Sequence, residues 1–323
     1  MRLGEHLLYL SRAEILALQI DPEAVRVALE ALLVRKAAGG VRNAPKLNVV
    51  PGDGRLFQAM IAIADDPPLA ATKVVGLAPD NRARGLPHIS ALIVLTDSES
   101  GAPVALMDAS WITAVRTAAM TAIAARRLAR PDATRIGFVA CGVQARSHLA
   151  ALRALFPLRE VCAYSRQPET ALSFAAEARA LGLEAVAVDE PRDAIAGLDI
   201  LITSVPAAPG LEPFLDPDWL APGSFASLVD LGRSWRRPEA LGRLDLRAVD
   251  DHEQTAEAGD KLAYHGPFDA DVTELAAGRK PGRSTPEERA MFIFQGLAAA
   301  DLAVAALVYD RARARDLGTV LPL

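Results

Sequence analysis

The chain has 323 residues, with 35 Lys and Arg against 40 Asp and Glu, a net charge of −5 at pH 7. At 51% hydrophobic and 23% charged it can bury a sizeable core, which excludes a disordered chain, and its length suits two domains. The mild acidity speaks against a nucleic-acid binder, which carries a basic face, and two cysteines are too few for a disulfide framework or a structural zinc site.

Residues 1–19 lack a basic stretch followed by a small-residue cleavage site, and the apolar run 298–308 is interrupted by Asp301. The expectation is a soluble, cytoplasmic protein with no membrane partner. Residues 11–38 read as one or two helices. Asp21-Pro22-Glu23-Ala24 is a cap with proline in the first turn, Val25, Ala28, Leu29, Leu32 and Leu33 recur at helical spacing, and Gly39-Gly40 ends the run.

From 46 to 104 short apolar runs alternate with turns. Strands are predicted at 47–50, 56–63, 72–77, 89–96 and 103–107, with hairpin turns at 51–54 and 97–101. A long Ala-rich helix follows at 113–128. Strands then alternate with helices: strands at 135–140, 160–165, 184–188, 200–205, 225–231 and 248–250, and helices at 144–155 and 168–181. Such alternation predicts an α/β fold, a Rossmann-like doubly wound parallel sheet beside a smaller, mostly antiparallel α+β domain. A final helix is predicted over 286–314, and 280–286 as a surface loop.

The apolar strand Arg135-Ile136-Gly137-Phe138-Val139 runs into Ala140-Cys141-Gly142-Val143-Gln144-Ala145 and then a helix. Ala140 stands at the first place of a G-x-G-x-x-G/A fingerprint, Gly142 at the second and Ala145 at the third. Without a side chain, the Gly142 backbone can approach a pyrophosphate at the positive end of the following helix. Cys141 inside the turn reads as a small residue filling a tight site. The next strand ends in Ser165-Arg166-Gln167, with no acid at 165 or 166. Serine and arginine suit a ribose 2′-phosphate, so NADP is favoured over NAD.

The stretch 97–133, DSESGAPVALMDASWITAVRTAAMTAIAARRLARPDA, runs into a turn carrying Gln144-Ala145. Together they resemble the ornithine cyclodeaminase/mu-crystallin family, and the likeness extends to Thr72-Lys73-Val74-Val75, to 199–205, to 278–283 and to Gly296-Leu297-Ala298. The block Arg116-Thr117-Ala118-Ala119 is its most specific part. The resemblance implies a Rossmann domain, placed at 116–299, and a substrate-binding and dimerisation domain, placed at 1–115 with 300–323, in a homodimer. It also implies hydride exchange between a nicotinamide and the α-carbon of a small amino or imino acid.

By the same resemblance Lys73 and Arg116 hold the substrate carboxylate, with Lys46 assisting, and Asp230 handles a proton. A lysine inside an apolar strand and an arginine opening an alanine-dominated helix also stand out on physical grounds, since neither is usually buried without a partner. Gln58, two residues before Met60, stands where a cyclodeaminase has a glutamate for a distal amine. His88 is a candidate pocket residue. Thr117 and Gly142–Ala145 are expected at phosphate, and Thr203, Ser204, Val205 and Leu231 along the cofactor. His6, His252 and His265 show no metal-ligand spacing, and no metal is expected.

The expected activity is therefore an NAD(P)H-dependent reductase of a small 2-imino acid, or the reverse amino-acid dehydrogenase. The alternatives are an ornithine cyclodeaminase that recycles its NAD and a non-catalytic, mu-crystallin-like NADPH-binding protein. The basic loop 230–237 could close the pocket, meet an acidic substrate side chain or form a solvated turn.

Overall fold

A computed structural model describes residues 2–208, 210–257 and 262–323. The chain opens with strand β1 (His6–Leu10) and helix α1 (Arg12–Ala17), whose start is fixed by a reciprocal capping box between Ser11 and Glu14. Helix α2 (Pro22–Ala37) starts where Asp21 accepts the amide hydrogen of Ala24. Strands β2 (Val41–Asn43), β3 (Leu47–Val49), β4 (Leu56–Ala64), β5 (Leu69–Leu77), β6 (Ile89–Asp97) and β7 (Pro103–Asp108) follow, and then helix α3 (Ser110–Leu128).

The second stretch alternates strand and helix: β8 (Arg135–Val139), α4 (Val143–Arg153), β9 (Glu160–Tyr164), α5 (Pro168–Ala180) and β10 (Glu184–Ala187). It continues through β11 (Ile200–Thr203), β12 (Phe225–Leu228), α6 (Pro238–Leu241), β13 (Leu246–Val249), α7 (His252–Ala256), β14 (Ala270–Asp271), α8 (Val272–Ala276) and β15 (Ala290–Ile293). Helix α9 (Ala298–Ala314) and strand β16 (Thr319–Pro322) complete the chain. Among the described residues, no helix is long and apolar enough to cross a membrane.

Residues 1–116 and 297–323 form one compact unit and residues 117–296 another. In the second unit the described strands form a parallel sheet ordered β10-β9-β8-β11-β12-β15-β13-β14. The order reverses direction between β8 and β11, the switch point where open α/β sheets take their ligands. Gly137 in β8 is required by packing: an added Cβ would sit 2.0 Å from the Ala194 carbonyl oxygen. Phe138 stacks edge-on against Phe174 of α5 at 4.9 Å.

In the first unit the sheet order is β16-β1-β7-β6-β5-β4-β2, with β3 also paired to β4. Strands β4 to β7 are antiparallel neighbours. Side chains alternate between its faces. One face buries Met60, Ala62, Ala71, Lys73, Ile93, Leu95 and Met107, and α9 lies against this sheet and α2. The other exposes Phe57, Ile61, Val74 and Leu92. Helix α9 has no cap from its own N-cap residue, Leu297; instead the side chain of Asn43 accepts the Ala299 amide hydrogen.

The predicted helix over 286–314 needs correction. Its first part contains β15, which lies between β12 and β13 with Ala290, Met291, Phe292 and Ile293 all buried. A short apolar run buried on both faces of a parallel sheet carries no period that separates it from a buried helix. The loop at 280–286 is also more than a solvated linker: Arg283 donates to the carbonyls of Leu128 and Ser224 and to that of Glu288, tying the loop to the sheet's rim.

Candidate active site

Lys73 lies at the middle of β5, between β4 and β6, and faces the helix-covered side. It is 1% exposed, and its Nζ lies 2.7 Å from both carboxylate oxygens of Asp301 on α9. Arg116 on α3, 6% exposed, places Nε 3.1 Å from Asp301 Oδ1. Asp301 is 1% exposed and therefore bridges two buried cations. Burial pushes the Lys73 ammonium down to about 8; the charges of Arg116 and Lys46 push the same way, and Asp301 opposes them. Two cations thus bear on one carboxylate and Lys46 bears on Lys73, an arrangement with positive charge to spare for a second anion.

Met60 stands directly opposite Lys73 in the β4–β5 register and shares its buried face. Gln58 shares that face one step along the strand, half-buried, and donates to Asn48 Oδ1 at 2.7 Å. Lys46 is half-buried just before β3. His88 is exposed ahead of β6, five residues short of Ile93, the Lys73 partner, so roughly 17 Å along the strand at strand rise. The structure therefore gathers Lys46, Met60, Lys73 and Arg116 and leaves His88 apart.

Asp301 was not among the residues singled out by sequence. Its one signal was that it breaks an apolar stretch of helix, where a charge is tolerated only with a partner.

In the second unit the turn after β8 leads directly into helix α4. Ala140, at the first glycine place, adopts φ +75°, the left-handed conformation for which glycine is favoured. Gly142 is exposed and caps α4 with no side-chain hydrogen bond, and an added Cβ there would meet open space. Val143 is exposed, Gln144 half-buried and Ala145 buried. The first amides of α4 have no intrahelical acceptor, so this end offers hydrogen-bond donors and a positive dipole to an anion.

Cys141 is buried with its thiol pushed up to about 12, which leaves no nucleophile. Burial lowers the pKa of the nearby His148 imidazolium to about 4, which holds the ring neutral. Its Nδ1 donates to the Gln144 carbonyl, and its Nε2 lies 3.0 Å from Thr121 Oγ1.

Ser165 and Gln167 are half-buried beyond β9, and Arg166 is exposed. Ser204 donates to the Ala140 carbonyl at 3.2 Å, so it braces the turn. Thr117 is buried on α3.

Asp230, the expected proton carrier, is 2% exposed, and donors surround its carboxylate. Thr203 Oγ1 and the Gly232 amide donate to Oδ1, both at 3.1 Å; Ser234 Oγ donates to Oδ2 at 2.6 Å, and the Val205 amide reaches the same oxygen at 3.4 Å. Burial raises its pKa, while Ser234, Arg233, Thr203 and Gly232 pull it back. The geometry makes Asp230 the pin of the loop after β12, where the predicted strand 225–231 ends early and Leu231 takes φ +62°.

The basic loop beyond it is knitted in place: Trp235 is buried and donates to Thr203, Arg233 donates to the Val205 carbonyl, and Arg237 pairs with Asp216 and Asp218.

A family model for the ornithine cyclodeaminase/mu-crystallin family matches residues 10–316. The chain belongs to that family. Alanine dehydrogenase of Archaeoglobus fulgidus is 32% identical, with 97% of each chain covered. The solved Δ1-pyrroline-2-carboxylate reductase of Thermococcus litoralis, in complex with NADH and L-proline, is 30% identical, with a TM-score of 0.87 over 97% of this chain and 99% of that one. An archaeal alanine dehydrogenase dimer with bound NAD is also 30% identical, with a TM-score of 0.88 over 98% and 99%.

In this family member, His252, Asp271 and Glu274 also come together, with ligand atoms within 4.8 Å of one another. Asp271 and Glu274 there form the capping box that starts α8, and His252 lies 3.3 Å from Glu274.

Proposed function

We propose that the protein is a nicotinamide-dependent oxidoreductase that reduces a small 2-imino acid to the amino acid, or runs the reverse oxidation. The observation that carries this reading is the convergence of Lys73 and Arg116 on one buried carboxylate, with Lys46 bearing on Lys73. A substrate carboxylate is the anion such a cluster is built to fix, and fixing it orients the neighbouring α-carbon.

The turn 140–145 fits a nicotinamide dinucleotide: an open glycine at an uncapped helix start suits the pyrophosphate, and Ser165 with Arg166 suits a ribose 2′-phosphate, hence NADP. When bound, the nicotinamide supplies or accepts the hydride at the α-carbon. Arg116, Lys46 and Lys73 hold the carboxylate. For a neutral imine, reduction leaves the nitrogen one proton short, and the Lys73 ammonium, with a pKa near 8, is the group able to give it. Asp230 ties the loop after β12 to Thr203 at the end of β11 and to Val205.

Gln58 and Asn48 form a neutral amide pair on the strands beside Lys73. Such a pair suits a substrate with no distal ammonium, which favours an imine reductase over a cyclodeaminase. The exposed apolar face of the first sheet, with Phe57, Ile61, Val74 and Leu92, supports a homodimer.

The test follows oxidation of NADH and NADPH with a panel of 2-oxo acids, with and without ammonia or methylamine, and with cyclic 2-imino acids. Oxidation that needs both carboxylate and imine is expected. Cofactor binding with no turnover across the panel would overturn the reading in favour of a binding protein. Proline and ammonia appearing from ornithine without added NADH would overturn it in favour of a cyclodeaminase.

A further inference from the structure

We infer that Asp301 is a positioning residue of the reaction: its carboxylate sets the spacing of Lys73 and Arg116 and keeps Lys73 in its cationic form for substrate. This rests on the carboxylate-clamp reading above.

Two buried cations repel each other, and neither a lysine stem nor an arginine fork is held by packing alone at a fixed separation. Asp301 Oδ1 lies within contact of both, 2.7 Å from Lys73 Nζ and 3.1 Å from Arg116 Nε. The three residues come from β5, α3 and α9, so this one carboxylate joins three elements. Around Asp301 helix α9 is rich in alanine, and Ala299, Ala300, Ala303, Val304 and Ala305 are buried. Small side chains let the helix approach the sheet closely enough for an aspartate, the shorter acid, to reach Nζ.

The charged groups that bear on Lys73 are Asp301 from α9, Arg116 from α3 and Lys46 from the segment before β3. Its direct strand neighbours, Met60 and Ile93, carry no charge. Asp301 is the group among them that favours the ammonium; Arg116 and Lys46 oppose it. Removing its charge while keeping its shape must move the Lys73 titration to lower pH. A role confined to holding the fold together would change stability and leave that titration where it is.

The experiment compares wild type with Asp301→Asn and Asp301→Glu. It uses kcat/KM against pH and, independently of turnover, the 15Nζ resonance of Lys73 followed against pH by NMR. In wild type kcat/KM is expected to fall as pH rises through about 8. In Asp301→Asn the fall and the NMR titration both shift down by about one pH unit or more, and KM for the carboxylate substrate rises at least about tenfold. Asp301→Glu restores the titration toward wild type but keeps a raised KM, because its carboxylate is displaced by one methylene.

Unmoved Lys73 titration in a folded Asp301→Asn protein overturns the inference. If Asp301→Asn does not fold, Asp301→Glu decides: an unchanged KM overturns the inference and a raised one supports it. If wild type turns over no imino acid, the clamp reading fails, and the NMR titration still judges the link between Asp301 and Lys73 alone.

Discussion

Lys73 and Asp301 are separated by 228 positions in the chain and by 2.7 Å in space. The pair closes the first unit around its cation cluster, because the segment 297–323 returns to the strands that carry Lys73. Most of the expected behaviour of the site follows from what happens to charge at this contact.

Lys73→Met keeps the length of the stem and removes the charge, leaving Asp301 paired with Arg116. A hydrogen bond from a charged donor contributes about 1.5–3 kcal/mol and the proton donor is lost with it, so kcat/KM for the carboxylate substrate should fall by more than about a hundredfold. Dinucleotide affinity should stay near wild type, since the turn at 140–145 belongs to the other unit. Steady-state kinetics and fluorescence titration of the cofactor check this. A parallel loss of cofactor affinity would contradict the assignment of Lys73 to substrate.

The same lysine predicts opposite pH trends for activity and stability. Its folded-state pKa, about 8, lies below the ordinary 10.5. Between these values the unfolded chain holds more protons than the folded one, so the Lys73 contribution to stability rises with pH across that window. Below about pH 8 both states are protonated, and the cost of burying the ammonium is complete. Urea unfolding of wild type and Lys73→Met, at about pH 7.5 and about pH 9.5, isolates the effect. Wild type should gain on the variant at the higher pH, while its kcat/KM declines; a gap independent of pH would show that Lys73 does not titrate there.

Asp230→Asn tests the loop-pin role. The amide replaces one acceptor by a donor, and it meets Gly232 and Thr203 on one side or Ser234 and the Val205 amide on the other, all donors. A buried mismatch of this kind costs about 1–3 kcal/mol, so the urea midpoint should drop with an unchanged slope. An unchanged midpoint together with abolished turnover would return the proton-carrier role to Asp230.

Much of this architecture is legible in the residues because local signals and tertiary demands agree. Asp21-Pro22 starts α2 where a capping aspartate and a first-turn proline belong, and the alternating runs of β4 to β7 mark a sheet with one buried face. Lys73 and Arg116 stand out as charges in apolar surroundings.

What escapes is whatever depends on distant partners. β15 has no period of its own and is a strand because β12 and β13 flank it. The four donors around Asp230 lie as far away as Thr203, and no spacing rule joins them. Asp301 announces itself only as a break in an apolar helix, and its partners lie on β5 and α3.

Arg166→Ala addresses the choice of cofactor. Arg166 is exposed after β9, and the proposed reading sets its fork on a ribose 2′-phosphate. Solvent screens an exposed pair, so the expected loss is about tenfold for NADPH, with NADH little changed. Dissociation constants for both cofactors, measured at one ionic strength, check this. Equal losses for the two would remove the 2′-phosphate contact and leave NAD as the better reading.

Val74→Glu tests the homodimer. Val74 is 55% exposed on the open face of the first sheet, with Ala59 on β4 and Leu92 on β6 beside it in register. Phe57, Ile61 and Leu92 extend the apolar surface around it. Contiguous exposed apolar area of this kind marks a contact surface. A two-fold contact uses the same patch on both subunits, so one substitution places a carboxylate on each side of the interface. Burying unpaired carboxylates is costly enough to separate the subunits. Light scattering coupled to gel filtration should give a dimer mass for wild type and for the control Val74→Ala, and a monomer mass for Val74→Glu. A monomeric wild type, or a Val74→Glu protein that stays dimeric, would move the interface away from this face.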